Sequence, residues 1–114
     1  RFDRPTPGKG VLYLYRPGWL GLAKAIDIAI ASGPTAELGA RTYIRLEKPP
    51  GPVEVDCKVG DKTDARRIEV QDGQMRFVEV SMTVSWWTPG CAIAEVPSDQ
   101  GQPAVLLSKR IETQ

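Results

Sequence analysis

The side chains able to do chemistry in this chain are few, and their types and spacing narrow what they can do. Cys57 and Cys91 are the only cysteines, and histidine is absent. Two thiols without a histidine cannot complete a tetrahedral metal site. Nucleophilic catalysis by serine or cysteine ordinarily takes its base from histidine, so the familiar triads are excluded. The leading reading of the two cysteines is therefore a Cys57–Cys91 disulfide, formed in an oxidising, extracytoplasmic compartment. Carboxylates are the remaining candidates. Glu54 and Asp56 share the outward parity of one strand and read as a solvated face. Asp61 and Asp64, in Gly60-Asp61-Lys62-Thr63-Asp64, offer oxygen ligands but lack the full acidic loop of a calcium motif, and read as a turn without metal. Gly8-Lys9-Gly10 has neither the strand before nor the helix after that a phosphate loop needs. No catalytic residue, metal or cofactor is expected, and the chain reads as a binding protein and not an enzyme.

Aromatic and apolar side chains supply the candidates for binding. Trp19, Leu20 and Leu22 fall between Pro17 and Ile26, a connection with a single charge, Lys24. Connections run over the surface, so this one is unusually apolar. Trp86 and Trp87 are adjacent in a strand pattern, and neighbouring strand residues point to opposite faces, so one indole should face outward. The expectation is a protein-docking surface of Trp19, Leu20, Leu22 and Trp87. The alternative is an envelope-glycan platform of Trp86, Trp87 or Trp19. Which of Trp86 and Trp87 faces out stays open, since Trp86 in the core with Trp87 over the sheet end fits equally. Tyr13 and Tyr15 read as core, and Arg16, Arg41, Arg45, Arg66 and Arg67 mainly as solvated cations.

Fifteen Lys and Arg against fourteen Asp and Glu leave a formal charge of +1, with both signs scattered. A nucleic-acid surface needs a concentrated excess of cations, so nucleic acid is not an expected partner. No apolar run approaches the roughly 18 to 20 residues that span a bilayer as a helix.

These side chains must be held by short strands. Of the 114 residues, 41% are hydrophobic and 25% charged, within the range of one folded domain. Residues 1–10, rich in Pro and Gly, read as an extended lead-in and 11–114 as a single domain. The chain opens at Arg1, which reads as a processed or trimmed start with no lipid anchor in view. Val11 to Tyr15 is apolar on both parities, the pattern of a central strand buried on both faces. Ile26, Ile28 and Ile30 alternate with small or polar residues, as do Thr42, Ile44 and Leu46. Val53, Val55, Cys57 and Val59 give the clearest alternation and turn Cys57 inward. Asp72-Gly73 between two strand patterns predicts a hairpin, because glycine accepts positive φ. From Gln74 to Trp86 the apolar parity slips by one residue, which predicts a β-bulge between Met75 and Val80. Cys91 to Val96 reads as a last strand, and Ser98-Asp99 as the cap of a short helix reaching Lys109, with an edge strand as the alternative. The fold class expected is all-β, a β-sandwich or small antiparallel barrel of about six to eight strands with a short C-terminal helix.

Val11-Leu12-Tyr13-Leu14-Tyr15-Arg16-Pro17 resembles the opening strand of a proteobacterial family of small lipoproteins of unknown function, which begins with Tyr-x-Tyr-Arg-Pro. Ile26 to Ile30, Glu37-Leu38-Gly39, Thr42-Tyr43-Ile44-Arg45-Leu46 and the Pro-Pro-Gly turn before Val53-Glu54-Val55 extend the likeness over roughly residues 10 to 85. The resemblance implies export to the periplasm or outer membrane, by a chain ordinarily lipidated on an N-terminal cysteine. This chain departs from that pattern in having no cysteine at its start. The family carries no catalytic residues across. The function expected is an accessory module that binds a protein, with a membrane-associated complex as one setting.

Overall fold

In the computed structural model the strand patterns close into two facing sheets; the structure describes residues 4–17, 25–30, 35–85 and 88–111. The elements are β1 (Gly10–Arg16), β2 (Ile26–Ile30), β3 (Thr35–Leu38), β4 (Thr42–Lys48), β5 (Gly51–Val59), β6 (Lys62–Val70), β7 (Met75–Ser85), β8 (Thr88–Val96), α1 (Ser98–Leu106) and the short β9 (Lys109–Arg110). One sheet has the order β8-β7-β1-β4-β9 and the other β3-β2-β5-β6. The all-β class with a short C-terminal helix is as expected. The arrangement is a sandwich and not a barrel, and its larger sheet is mixed, because β1 pairs with β7, and β4 with β9, in parallel.

Alternation decides the core. Leu12, Leu14, Ile44, Val78 and Val80 from the five-stranded sheet meet Ile26, Ile28, Val55, Cys57 and Ile68 from the four-stranded one. Each such aliphatic side chain contributes about 1.5 to 3 kcal/mol on burial. The opposite parity of β1 is buried too. Val11, Tyr13 and Tyr15 form a second cluster with Phe77 and Val105, covered by α1. Tyr13 stacks on Phe77 with ring centroids 5.1 Å apart. The double burial expected of β1 thus comes from the opposite sheet on one side and the helix on the other.

Gly101 lets the helix come this close. A Cβ at that position would collide with the Cβ and ring of Phe77, so only glycine permits the approach. Helix α1 begins after Pro97 with no side-chain cap and ends at Leu106. Ser98 does not cap it, and its hydroxyl instead accepts a hydrogen bond from Gln102. Beyond the helix, Lys109 and Arg110 pair with Thr42 and Tyr43, so the end expected as helix becomes a strand.

Two local expectations are corrected. The register is continuous through the predicted bulge, from Val11↔Met75 to Tyr15↔Glu79 on one side of β7 and from Phe77↔Val96 to Ser85↔Thr88 on the other. The parity changes because β7 is buried on both faces there: Phe77 packs under the helix and Val78 in the main core. Asp72-Gly73 is a turn but not a hairpin, since β6 and β7 belong to different sheets. It carries the chain across the sandwich and holds the lead-in, with the Gly8 amide donating to Asp72 Oδ1 at 3.1 Å and the Gly73 amide to the Lys9 carbonyl at 3.0 Å. The tight hairpin lies earlier: Gly60-Asp61 joins β5 to β6 across the Val59↔Lys62 pair, with Gly60 at φ 60°.

The disulfide expected from the sequence is present, and Cys57 faces the core. It joins β5 of one sheet to β8 of the other, and it indicates an oxidising environment. Beside it, β6 guards the edge strand β8 with side chains. Asp64 Oδ2 accepts the Ile93 amide at 3.0 Å, and Arg66 donates to the Ile93 carbonyl at 3.2 Å. An acid and a guanidinium here stand in for a missing strand at that residue, a device that blunts an exposed edge.

Candidate functional site

The side chains proposed from the sequence for partner binding, Trp19, Leu20, Leu22 and Trp87, lie outside the described residues, as does Trp86. The described structure offers a different surface. Along β2, β3 and β5, alternate residues are exposed, as are Thr63 and Ala65 of β6, and pairing sets them in rows on the outer face of the four-stranded sheet. Asp27 lies opposite Glu37 on one side and Lys58 on the other, and Lys58 lies opposite Thr63. The next row is Thr35, Ala29, Asp56 and Ala65. The two alanines leave the second row low between its neighbours. The result is a trough of about 750 Å³.

Its chemistry is that of recognition. Four carboxylates, of Asp27, Glu37, Asp56 and Asp64, two threonine hydroxyls and one ammonium line the trough around a floor of methyl groups. Asp27 and Glu37 stand directly opposite each other on neighbouring strands, a like-charge pairing that costs about 0.2 to 1 kcal/mol. Lys58 offsets part of this from the other side. Of these carboxylates the sequence reading singled out Asp56 and Asp64. The outward parity of Asp27 and Ala29 was legible, but the register that puts Glu37, Asp27 and Lys58 in one row was not.

The arginines read as solvated divide into distinct roles. Arg16 is buried and donates to the Leu38 carbonyl at 2.7 Å, closing one end of the sandwich, and burial lowers its pKa below the ordinary arginine value. Arg45 donates to the Tyr13 hydroxyl at 3.2 Å and pairs with Glu47 at 3.3 Å. Arg67 lies opposite Glu54 across β5 and β6. Tyr15, on the helix side of β1, donates to Glu79 at 3.4 Å; its burial, and then the Glu79 charge, push its pKa up to about 12. Among the described residues no group of three or more His, Cys, Asp or Glu is placed to hold a metal ion, and no helix is long and apolar enough to cross a membrane.

Comparison of this chain with protein-family models, with curated proteins and with solved structures finds no match.

Proposed function

We propose that this chain is a non-catalytic, extracytoplasmic binding module, an accessory subunit that docks a partner protein in the periplasm or at the outer membrane. The observation that carries the reading is the trough on the four-stranded sheet, where Asp27 and Glu37 are opposed in register above a floor of alanines. A cross-strand pair of like charges lowers the stability of the free protein, and a basic segment laid along the trough would relieve it. The inter-sheet disulfide supports the compartment. The resemblance of Val11 to Pro17 to the opening strand of small exported lipoproteins supports the same location.

The test is the pair Asp27→Ser and Asp56→Ser, followed by mild detergent extraction of the envelope and identification of what co-purifies in stoichiometric amount. The expected result is loss of a basic partner protein with the melting temperature unchanged or slightly raised. Full retention of that partner refutes the reading. So does retention on envelope glycan in place of any protein, which would favour the glycan alternative.

A further inference from the structure

A second surface, unrelated to the trough, gathers where the helix ends. Leu106 and Leu107 are 60% and 81% exposed, and both stand at the C-terminal end of α1. The chain then reverses. Ser108 fixes the reversal twice, through its amide to the Val105 carbonyl at 2.9 Å and its hydroxyl to the Ala104 carbonyl at 2.9 Å. Lys109 and Arg110 follow at once, both exposed, and are stapled to the edge of β4 by the Lys109 amide to the Arg41 carbonyl at 2.8 Å and the Ile111 amide to the Tyr43 carbonyl at 2.9 Å. That staple brings in a third cation. Arg41 is exposed and occupies the turn before β4 with φ 58°, the one non-glycine among the described residues in the left-handed region. Glycine or asparagine would hold that turn at lower cost, yet an arginine stands there.

Among the described residues from 98 to 111 the sole acid is Asp99, in the first turn of α1 and about 10 Å along the helix from Leu106, and Glu112, two residues after Arg110, lies outside the described residues. Two exposed leucines beside three cations, in a chain whose overall charge is only +1, form a local pattern that composition does not reveal. Leucines that can enter the acyl boundary, flanked by cations at headgroup level, match an anionic lipid surface. A folded partner protein would more often meet apolar side chains with an uncharged centre.

We infer that the end of the molecule formed by Arg41, Leu106, Leu107, Lys109 and Arg110 rests on an anionic phospholipid surface, as a peripheral contact that spans nothing. Each fully buried leucine is worth about a factor of ten or more in partition, and the cations make the binding dependent on headgroup charge and on salt.

The experiment is co-sedimentation of the full chain with vesicles of phosphatidylcholine alone and of phosphatidylcholine mixed with phosphatidylglycerol. Expected is binding to the mixed vesicles that weakens as salt rises. Leu106→Ser with Leu107→Ser should lower it about tenfold or more, and Lys109→Glu with Arg110→Glu should remove its dependence on phosphatidylglycerol. Because all four side chains are exposed, the melting temperature of both variants should match the parent, which separates lost contact from lost fold. Asp27→Ser should leave vesicle binding unchanged, so this contact and the trough fail or hold independently. Equal binding to both vesicle types, no binding to either, or a dimer in solution that Leu107→Ser dissolves would each overturn the inference.

Discussion

The inter-sheet disulfide gives the sharpest quantitative expectation. Cys57 and Cys91 are 34 residues apart in sequence and lie on β5 and β8, one in each sheet. Closing a loop of that length restricts the unfolded chain by an entropy worth about 3 to 4 kcal/mol. A domain of this size has a total stability of about 5 to 15 kcal/mol, so the bond carries a large share of it. At about 4 °C per kcal/mol for a chain slightly over 100 residues, reduction should lower the melting temperature by roughly 12 to 16 °C. Reduction is preferable to substitution, because Cys57 is fully buried and Cys57→Ala would add a cavity cost to the entropic one. The assay is paired urea titration and calorimetry of oxidised and reduced protein, with alkylation and intact mass to confirm each state. Since the effect sits in the unfolded state, the urea m-value should rise on reduction as that state expands. Reduced protein within about 1 kcal/mol of the oxidised form, at unchanged m-value, would refute the loop-entropy argument. Native protein with two alkylatable thiols would remove its premise.

Gly101→Ala should destabilise the protein even though alanine is the better helix former by about 1 kcal/mol. The new methyl meets Phe77, and overpacking of that kind costs about 1 to 3 kcal/mol, so urea titration should show a net loss; a net gain would mean that α1 does not seat on Phe77. Tyr15 predicts an alkaline limit. Its hydroxyl is held protonated up to a pKa of about 12 in the folded state, while in the unfolded chain it ionises near the ordinary value of 10. The stability it supports is therefore complete below pH 10 and is lost as pH rises from 10 to 12. Tyr15→Phe should flatten that part of the stability profile, and an unchanged profile between wild type and variant would show that Tyr15 is not the group responsible.

Patterns that depend on neighbours in sequence were legible in this chain. Two-residue alternation gave the inward faces of β2, β4 and β5, because a strand's side chains point by parity whatever strand lies beside it. It therefore also turned Cys57 inward, and the absence of histidine left a disulfide as the reading of the two cysteines. Double-parity apolarity marked β1 as central for the same reason. Patterns that depend on distant chain were misread or silent. The slip at Phe77 and Val78 looked like a bulge, because parity alone does not tell an inserted residue from a helix laid over the second face. Asp72-Gly73 encodes a turn, but whether the strands on either side pair is fixed by which sheet each joins, and β6 and β7 join different ones. The trough and the cationic end follow the same logic. Asp27, Glu37 and Lys58 are separated by ten and twenty-one residues, and Arg41 lies 68 residues before Lys109, so only strand register places each set together. Register is chosen by the packing of the opposite, buried face, which selects the alignment that fills the core and carries the exposed side chains along with it.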